Sequence, residues 1–88
     1  MNKKDVKTAK IFQALGHTIR LSIVKGLLRN ECNVNKIVNA LKLPQSTVSQ
    51  HLTVLKNAGV IKGNRKGVKI CYKVEEKLVK KIIKSISK

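Results

Sequence analysis

At 88 residues the chain has room for one domain, much of whose surface must stay exposed and whose stability alone is marginal. Lys and Arg total 20 against 4 acids, a net charge of +16 that repels itself unless a polyanion neutralises it, while one Phe, one Tyr and no Trp make the core aliphatic and exclude a stacking platform for single-stranded bases. No apolar run approaches the ~20 residues of a membrane span and no signal-peptide apolar region follows the basic N-terminus, so a cytoplasmic protein with no membrane partner is expected.

From Asp5 to Leu15 the residues Val6, Ala9, Ile11, Phe12 and Leu15 recur at helical spacing, and Asp5 is placed to cap this first helix. Gly16 interrupts the pattern and Thr18 offers the next cap. Ile19, Leu21, Ile23, Val24, Leu27 and Leu28 then describe a strongly apolar second helix that belongs in the core. Glu31 to Asn33 allows a turn or one short strand bridge, after which Asn33 caps a third helix carrying Val34, Ile37, Val38 and Leu41 and ending near Lys42. Pro44 disfavours helix at Leu43 yet suits the start of a new one, so a tight turn leads into a fourth helix from about Gln45 to Ala58. Its apolar stripe is Val48, Leu52 and Leu55, and Gly59 stands where a left-handed C-cap belongs.

Val60 to Lys62, a turn over Asn64, Arg65, Lys66 and Gly67, and the alternating Val68, Ile70, Tyr72 and Val74 predict a β-hairpin with a basic tip and those last four residues facing inward. From Glu75 to Ser87 a final helix places Leu78, Val79, Ile82, Ile83 and Ile86 on one face, with Glu75 and Glu76 at its start and lysines towards its end as the helix dipole favours. The expectation is a single domain over 1–88, mainly α with a β-hairpin, in the order helix, helix, short strand, helix, helix, strand, strand, helix.

Two short helices joined by a Pro-containing turn and followed by a hairpin are the order of a winged helix-turn-helix, whose second helix enters the DNA major groove. Projecting the fourth helix at ~100° per residue puts Ser46, Gln50, Thr53 and Asn57 opposite the core and Ser49 on the flank. Gln bonds adenine in a bidentate way, Ser and Thr serve base or phosphate, and the helix N-terminus attracts phosphate. The candidate reading residues are therefore Gln45, Ser46, Thr47, Ser49, Gln50, His51, Thr53 and Lys56, with Gln45, Ser46, Ser49 and Gln50 foremost. Lys56 lies nearer the inner stripe and either snorkels or reaches a phosphate, and Asn64, Arg65, Lys66 and Lys69 on the wing supply affinity more than discrimination. A polar face alone is what any surface helix shows; the turn before it and the hairpin after it give this one its meaning. The first and last helices carry apolar faces (Val6, Ala9 and Phe12; Leu78, Val79, Ile82, Ile83 and Ile86) that so small a monomer struggles to cover, which predicts a homodimer with two reading helices.

The stretches from Ala14 to Val24 (ALGHTIRLSIV), from Leu43 to Val60 (LPQSTVSQHLTVLKNAGV) and from Asn64 to Val74 (NRKGVKICYKV) resemble the ArsR/SmtB repressors, so the likeness covers roughly residues 10 to 75. It implies a dimer built from the first and last helices that binds an imperfect inverted repeat near a promoter and leaves DNA when an inducer is sensed. Many members sense metals through a cysteine pair at the start of the third helix, where this chain has Asn33 and Asn35, poor ligands for soft metals. Others bind zinc with Asp, His and Glu on the last helix, which here holds no His, Asp or Cys. No metal or cofactor is expected, and the inducer is left open.

Cys32 and Cys71 form neither a CxxC nor a CxH pattern, so reduced thiols are expected. A thiol switch between them is the alternative, and parity opposes it: Cys71 points away from Val68, Ile70, Tyr72 and Val74, while Cys32 points inward with Val34. His17 and His51 read as partly packed helix residues, with a phosphate contact as the functional alternative for His51. With Asp5, Glu31, Glu75 and Glu76 as its acids and no nucleophile paired to a base, the chain is not read as an enzyme. The function expected is a sequence-specific double-stranded DNA-binding regulator, and its rivals are a sequence-tolerant architectural protein and a winged helix that binds an acidic protein instead of DNA.

Overall fold

The computed structural model describes residues 2–30, 32 and 34–86. Five helices and one hairpin follow in the order α1 (Lys3–Leu15), α2 (Thr18–Arg29), α3 (Val34–Leu41), α4 (Gln45–Asn57), β1 (Ile61–Lys66), β2 (Lys69–Val74) and α5 (Lys77–Ile86). The Asn33 cap of α3 and the end of the last helix at Ser87 lie outside the described residues. So do two of the three residues of the expected strand bridge, and the third, Cys32, sits in a turn.

Two helix starts differ from the expectation. Asn2, not Asp5, caps α1: its Oδ1 accepts from the Lys4 amide at 2.8 Å, and Asp5 becomes the acid that the first-turn dipole favours. His17, not Thr18, caps α2, its Nδ1 accepting from the Ile19 amide at 3.1 Å.

The core is assembled from every layer. Ile11, Ala14 and Leu15 of α1, Ile23, Val24 and Leu27 of α2, and Val48, Leu52 and Leu55 of α4 meet Val60, Ile61 and Val74 at the base of the hairpin. Val79 and Ile83 of α5 complete it at 0 % and 5 % exposure. Burying such side chains contributes roughly 1.5–3 kcal/mol each. The α3 residues Val34, Ile37, Val38 and Leu41 are half-buried against this core, so α3 rides on it as an amphipathic cover.

The turn and caps around α4 fix its direction. Lys42 ends α3 with φ 53, an unusual conformation for a side chain other than glycine, and Pro44 at φ −58 opens α4. At the far end the Gly59 amide bonds the Lys56 carbonyl and the Val60 amide bonds the Leu55 carbonyl, both at 3.0 Å, with Gly59 at φ 77. This pair of bonds is a Schellman cap, and it delivers the chain directly into β1.

The hairpin is an antiparallel ladder without interruption from Ile61↔Val74 to Lys66↔Lys69. Its turn is Gly67–Val68, three residues beyond the start expected from the sequence, so Asn64, Arg65 and Lys66 lie within β1. Gly67 at φ 65 followed by a residue of negative φ is the pattern of a type II′ turn, whose twist suits a hairpin. Val68 consequently projects from the tip, fully exposed, and Ile70 is 43 % exposed, so neither faces inward as the alternation suggests. The physical reason is reach: the outer half of a two-stranded ribbon extends past the body, and only Val74 and, in part, Tyr72 lie over it.

The two cysteines form a disulfide, with Cα atoms 4.2 Å apart across 39 residues of sequence. The expectation of reduced thiols and the parity argument are both overturned. Cys71 does point away from Tyr72 and Ile70, but that side of the ribbon lies against the connection from α2 to α3, and Cys71 is 2 % exposed. Cys32 sits in the turn before α3 and not in phase with Val34, so it is exposed and free to meet Cys71.

Candidate nucleic-acid interface

The stripe that anchors α4 leaves a polar ridge on its opposite side. Gln45, Ser46, Ser49, Gln50, Thr53, Lys56 and Asn57 are exposed, whereas Thr47 and His51 are half-buried at the flanks. Among the described residues the side chains of Gln45, Ser46, Ser49 and Gln50 make no hydrogen bond within the chain, so their donors and acceptors face outward. Thr53 differs, since its hydroxyl donates to the Ser49 carbonyl at 2.9 Å. Lys56, next to the inner stripe in sequence, is exposed.

The start of α4 is open. Pro44 provides no side-chain cap, and the first amides bonded back to its carbonyl are those of Thr47 and Val48, at 3.1 and 3.2 Å. The Gln45 and Ser46 amides therefore remain as donors at the positive end of the helix dipole, next to four outward-facing polar side chains. Such an end favours a phosphate oxygen.

On the wing Asn64, Arg65, Lys66 and Lys69 are all exposed. The ladder sets Lys66 opposite Lys69 at the turn and Lys62 opposite Lys73 nearer the body, and both pairs share one face of the ribbon. Like charges directly opposite each other destabilise a hairpin, and a polyanion beside them removes that cost.

Behind the ridge His51 meets two groups from the α1–α2 corner. Its ring lies 4.6 Å from that of His17, and its Nδ1 is 3.4 Å from an Arg20 guanidinium nitrogen. Burial holds the His51 imidazole below the ordinary histidine range, and His17 and Arg20 push in the same direction. Arg20 also donates to the carbonyls of Ala14 and Gln13, tying the last turn of α1 to α2 and, through His51, to α4. The sequence reading missed Arg20; a cation shortly after a helix that stops at Gly16, with its final carbonyls unsatisfied, was the available signal.

At the other end of the molecule the expected dimer residues divide. Val79 and Ile83 belong to the chain's own core, whereas Val6, Phe12 and Ile86 are 38, 53 and 55 % exposed. Ala9 is exposed, and Leu78 and Ile82 are half-buried. Among the described residues no three His, Cys, Asp or Glu side chains lie together to hold a metal ion, and no helix is long and apolar enough to cross a membrane.

An anchored helix with a polar outer ridge, an open N-terminus and a basic hairpin beside it defines a winged helix-turn-helix DNA-binding regulator. The same fold is found in the homodimeric winged helix-turn-helix DNA-binding domain Mb0332 of Mycobacterium bovis, with a TM-score of 0.81 over 98% of this chain and 83% of that one at 23% identity. The sequence profile of the arsR family of bacterial regulatory proteins matches residues 17–62, from the cap of α2 to the first strand of the wing. An uncharacterised HTH-type transcriptional regulator of Methanocaldococcus jannaschii is 42% identical over 85 residues, 96% of each chain. The transcriptional repressor PagR of Bacillus anthracis is 41% identical over 80 residues, 90% of this chain and 80% of that one. Its crystal structure matches with a TM-score of 0.84 at 39% identity over 96% of this chain and 97% of that one. The chain belongs to the ArsR family of transcriptional regulators.

Proposed function

We propose that the protein is a cytoplasmic repressor that binds double-stranded DNA as a homodimer on an inverted-repeat operator. The observation that carries this reading is the ridge of Gln45, Ser46, Ser49 and Gln50, exposed and without side-chain partners among the described residues, beside an open helix N-terminus. In the major groove Gln50 and Gln45 read base edges, Ser46, Thr47 and Ser49 hold base or phosphate, and His51, Thr53 and Lys56 border the backbone. Asn64, Arg65, Lys66 and Lys69 lie along the neighbouring phosphates. A second copy covers Val6, Ala9 and Phe12 of α1 with Leu78, Ile82 and Ile86 of α5, and repression is the activity of the similar PagR.

Selection of bound duplexes from a random pool at two salt concentrations tests this. An inverted repeat with half-sites one helical turn apart, about 10–10.5 bp, is expected to survive the higher salt. Enrichment of no sequence, with binding that collapses in salt, selects the architectural reading instead. A reporter driven by the selected site then reads the sign, with loss of the regulator expected to raise expression.

The disulfide favours a second reading alongside the first. Because it fastens the wing to the connection before α3, DNA binding in this protein depends on the state of Cys32 and Cys71.

A further inference from the structure

The two cysteines of the disulfide have unlike surroundings. Cys71 is 2 % exposed within β2, whereas Cys32 is exposed and forms part of the wall of an open cleft of about 700 Å³ between the wing and the helix-turn-helix. Gln45 and Ser49 of the reading ridge line the same cleft, as do Lys69 and Tyr72 of β2 and Lys36 of α3. On the ribbon face that carries Cys71 the register places the pairs Lys66–Lys69 and Lys62–Lys73 to either side of it. The exposed cysteine is thus approached from a cleft that Lys36 and Lys69 line, and the buried one lies on a ribbon face between two lysine pairs.

We propose that the Cys32–Cys71 bond is a thiol-exchange site, at which a low-molecular-weight thiol bearing carboxylates couples to Cys32 and fills the cleft between wing and reading helix. The proposal deepens the thiol-dependent reading above and rests on it. The thiolate of the incoming molecule attacks the Cys32 Sγ, which belongs to the exposed residue of the pair. The bond to Cys71 breaks, a new bond joins Cys32 to the incoming sulfur, and Cys71 leaves with the electron pair as a thiolate that takes a proton from water. No outside oxidant is needed, since the protein disulfide is exchanged for a mixed one. A second thiol molecule returns Cys32 to the free thiol and departs as the small-molecule disulfide. Lys36 and Lys69 in the cleft draw in the carboxylates, and the lysine pairs flanking Cys71 stabilise the departing thiolate. Once formed, the adduct has its carboxylates beside Gln45, Ser49 and Lys69, where DNA phosphates otherwise come, and the wing is no longer fastened to the α2–α3 connection.

The test uses the full oxidised chain with glutathione, which carries two carboxylates, or with cysteamine, which carries a cation, each quenched in acid and mapped by peptide mass spectrometry. Glutathione is expected on the Cys32 peptide with Cys71 as the free thiol. Its initial rate, corrected for the thiolate fraction of each reagent, is expected to exceed that of cysteamine about tenfold at low salt and to lose that lead in about 1 M salt. An adduct on Cys71, or equal corrected rates at low salt, overturns the proposal. In a second arm the Cys71→Ser variant, loaded at Cys32 from oxidised glutathione and checked for fold by circular dichroism, is expected to bind the selected duplex about tenfold or more weakly than the same variant unloaded. Equal affinities overturn the regulatory half of the proposal. Should the untreated wild-type chain bind no duplex at all, the DNA reading fails, while mass spectrometry on that chain still decides the exchange chemistry.

Discussion

The reading helix and the wing meet the same polyanion with opposite mechanics. α4 is held on three buried residues and closed by a Schellman cap, so its outer side chains are presented from a fixed platform. The wing is a two-stranded ribbon with a largely exposed outer half: Val68 at its tip is fully exposed, Ile70 is 43 % exposed, and two lysine pairs face each other across it. Base reading needs donors and acceptors held within tenths of an ångström, which only the packed element provides. Charge neutralisation tolerates a looser carrier. Besides the backbone at its two ends, the disulfide ties this looser element to the connection before α3.

The largest effect that sharpens this contrast is on stability. Leu55 of α4 is 0 % exposed, and Leu55→Ala is expected to cost about 2–5 kcal/mol in urea unfolding, enough to unfold much of so small a protein. Val68→Ala at the wing tip is expected to change it by less than about 0.5 kcal/mol. Similar costs at the two positions would mean that the wing is packed in solution after all.

Next in size is the split between discrimination and affinity. Gln50→Ala is expected to lose about 1–3 kcal/mol on the selected operator and far less on random duplex. Lys66→Ala is expected to weaken both alike and to lower the salt slope by about one. Equal losses for Gln50→Ala on both duplexes would take the reading role away from α4.

A smaller effect follows from the imidazole behind the ridge. With its folded-state value lowered, His51 binds its proton less readily in the native chain than in the unfolded one. Its contribution is therefore fully present above the ordinary histidine value of about 6.5 and is lost as pH falls below that towards the folded-state value. Melting temperature is expected to decline from pH 7.5 to 5.5, and His51→Gln to flatten the decline. An identical slope in the variant would place the titration elsewhere. Smallest is Lys42→Gly in the turn before α4. Relieving a side chain at φ 53 is expected to raise stability by up to about 1 kcal/mol, partly offset by the greater freedom of glycine when unfolded.

Elements governed by local periodicity could be read directly from the chain. Val48, Leu52 and Leu55 repeat at helical spacing, and the exposed ridge opposite them follows from geometry; Gly59 marks the helix end because glycine takes a left-handed φ without steric cost. What could not be read depended on distant partners. His17 is an uncommon cap, and its ring lies beside that of His51 from α4, a neighbour that local sequence does not reveal. The wing turn was misplaced because Asn64 and the residues after it look like a turn, whereas Gly67 heading a type II′ turn between six-residue strands was the better signal. The disulfide was missed because strand parity was extended to Cys32, which is in a turn where parity does not hold. Val79 and Ile83 were assigned to a partner because an amphipathic face on α5 does not itself say whether its own chain or a second one covers it.

The most direct test of the central claim is a hydroxyl-radical footprint on the selected duplex with the bound stoichiometry measured by sedimentation. Two chains per duplex, with protection over two major-groove segments one turn apart and loss of discrimination in Gln50→Ala, is the result this account predicts. A single bound chain, or continuous protection that follows no repeat, would contradict it.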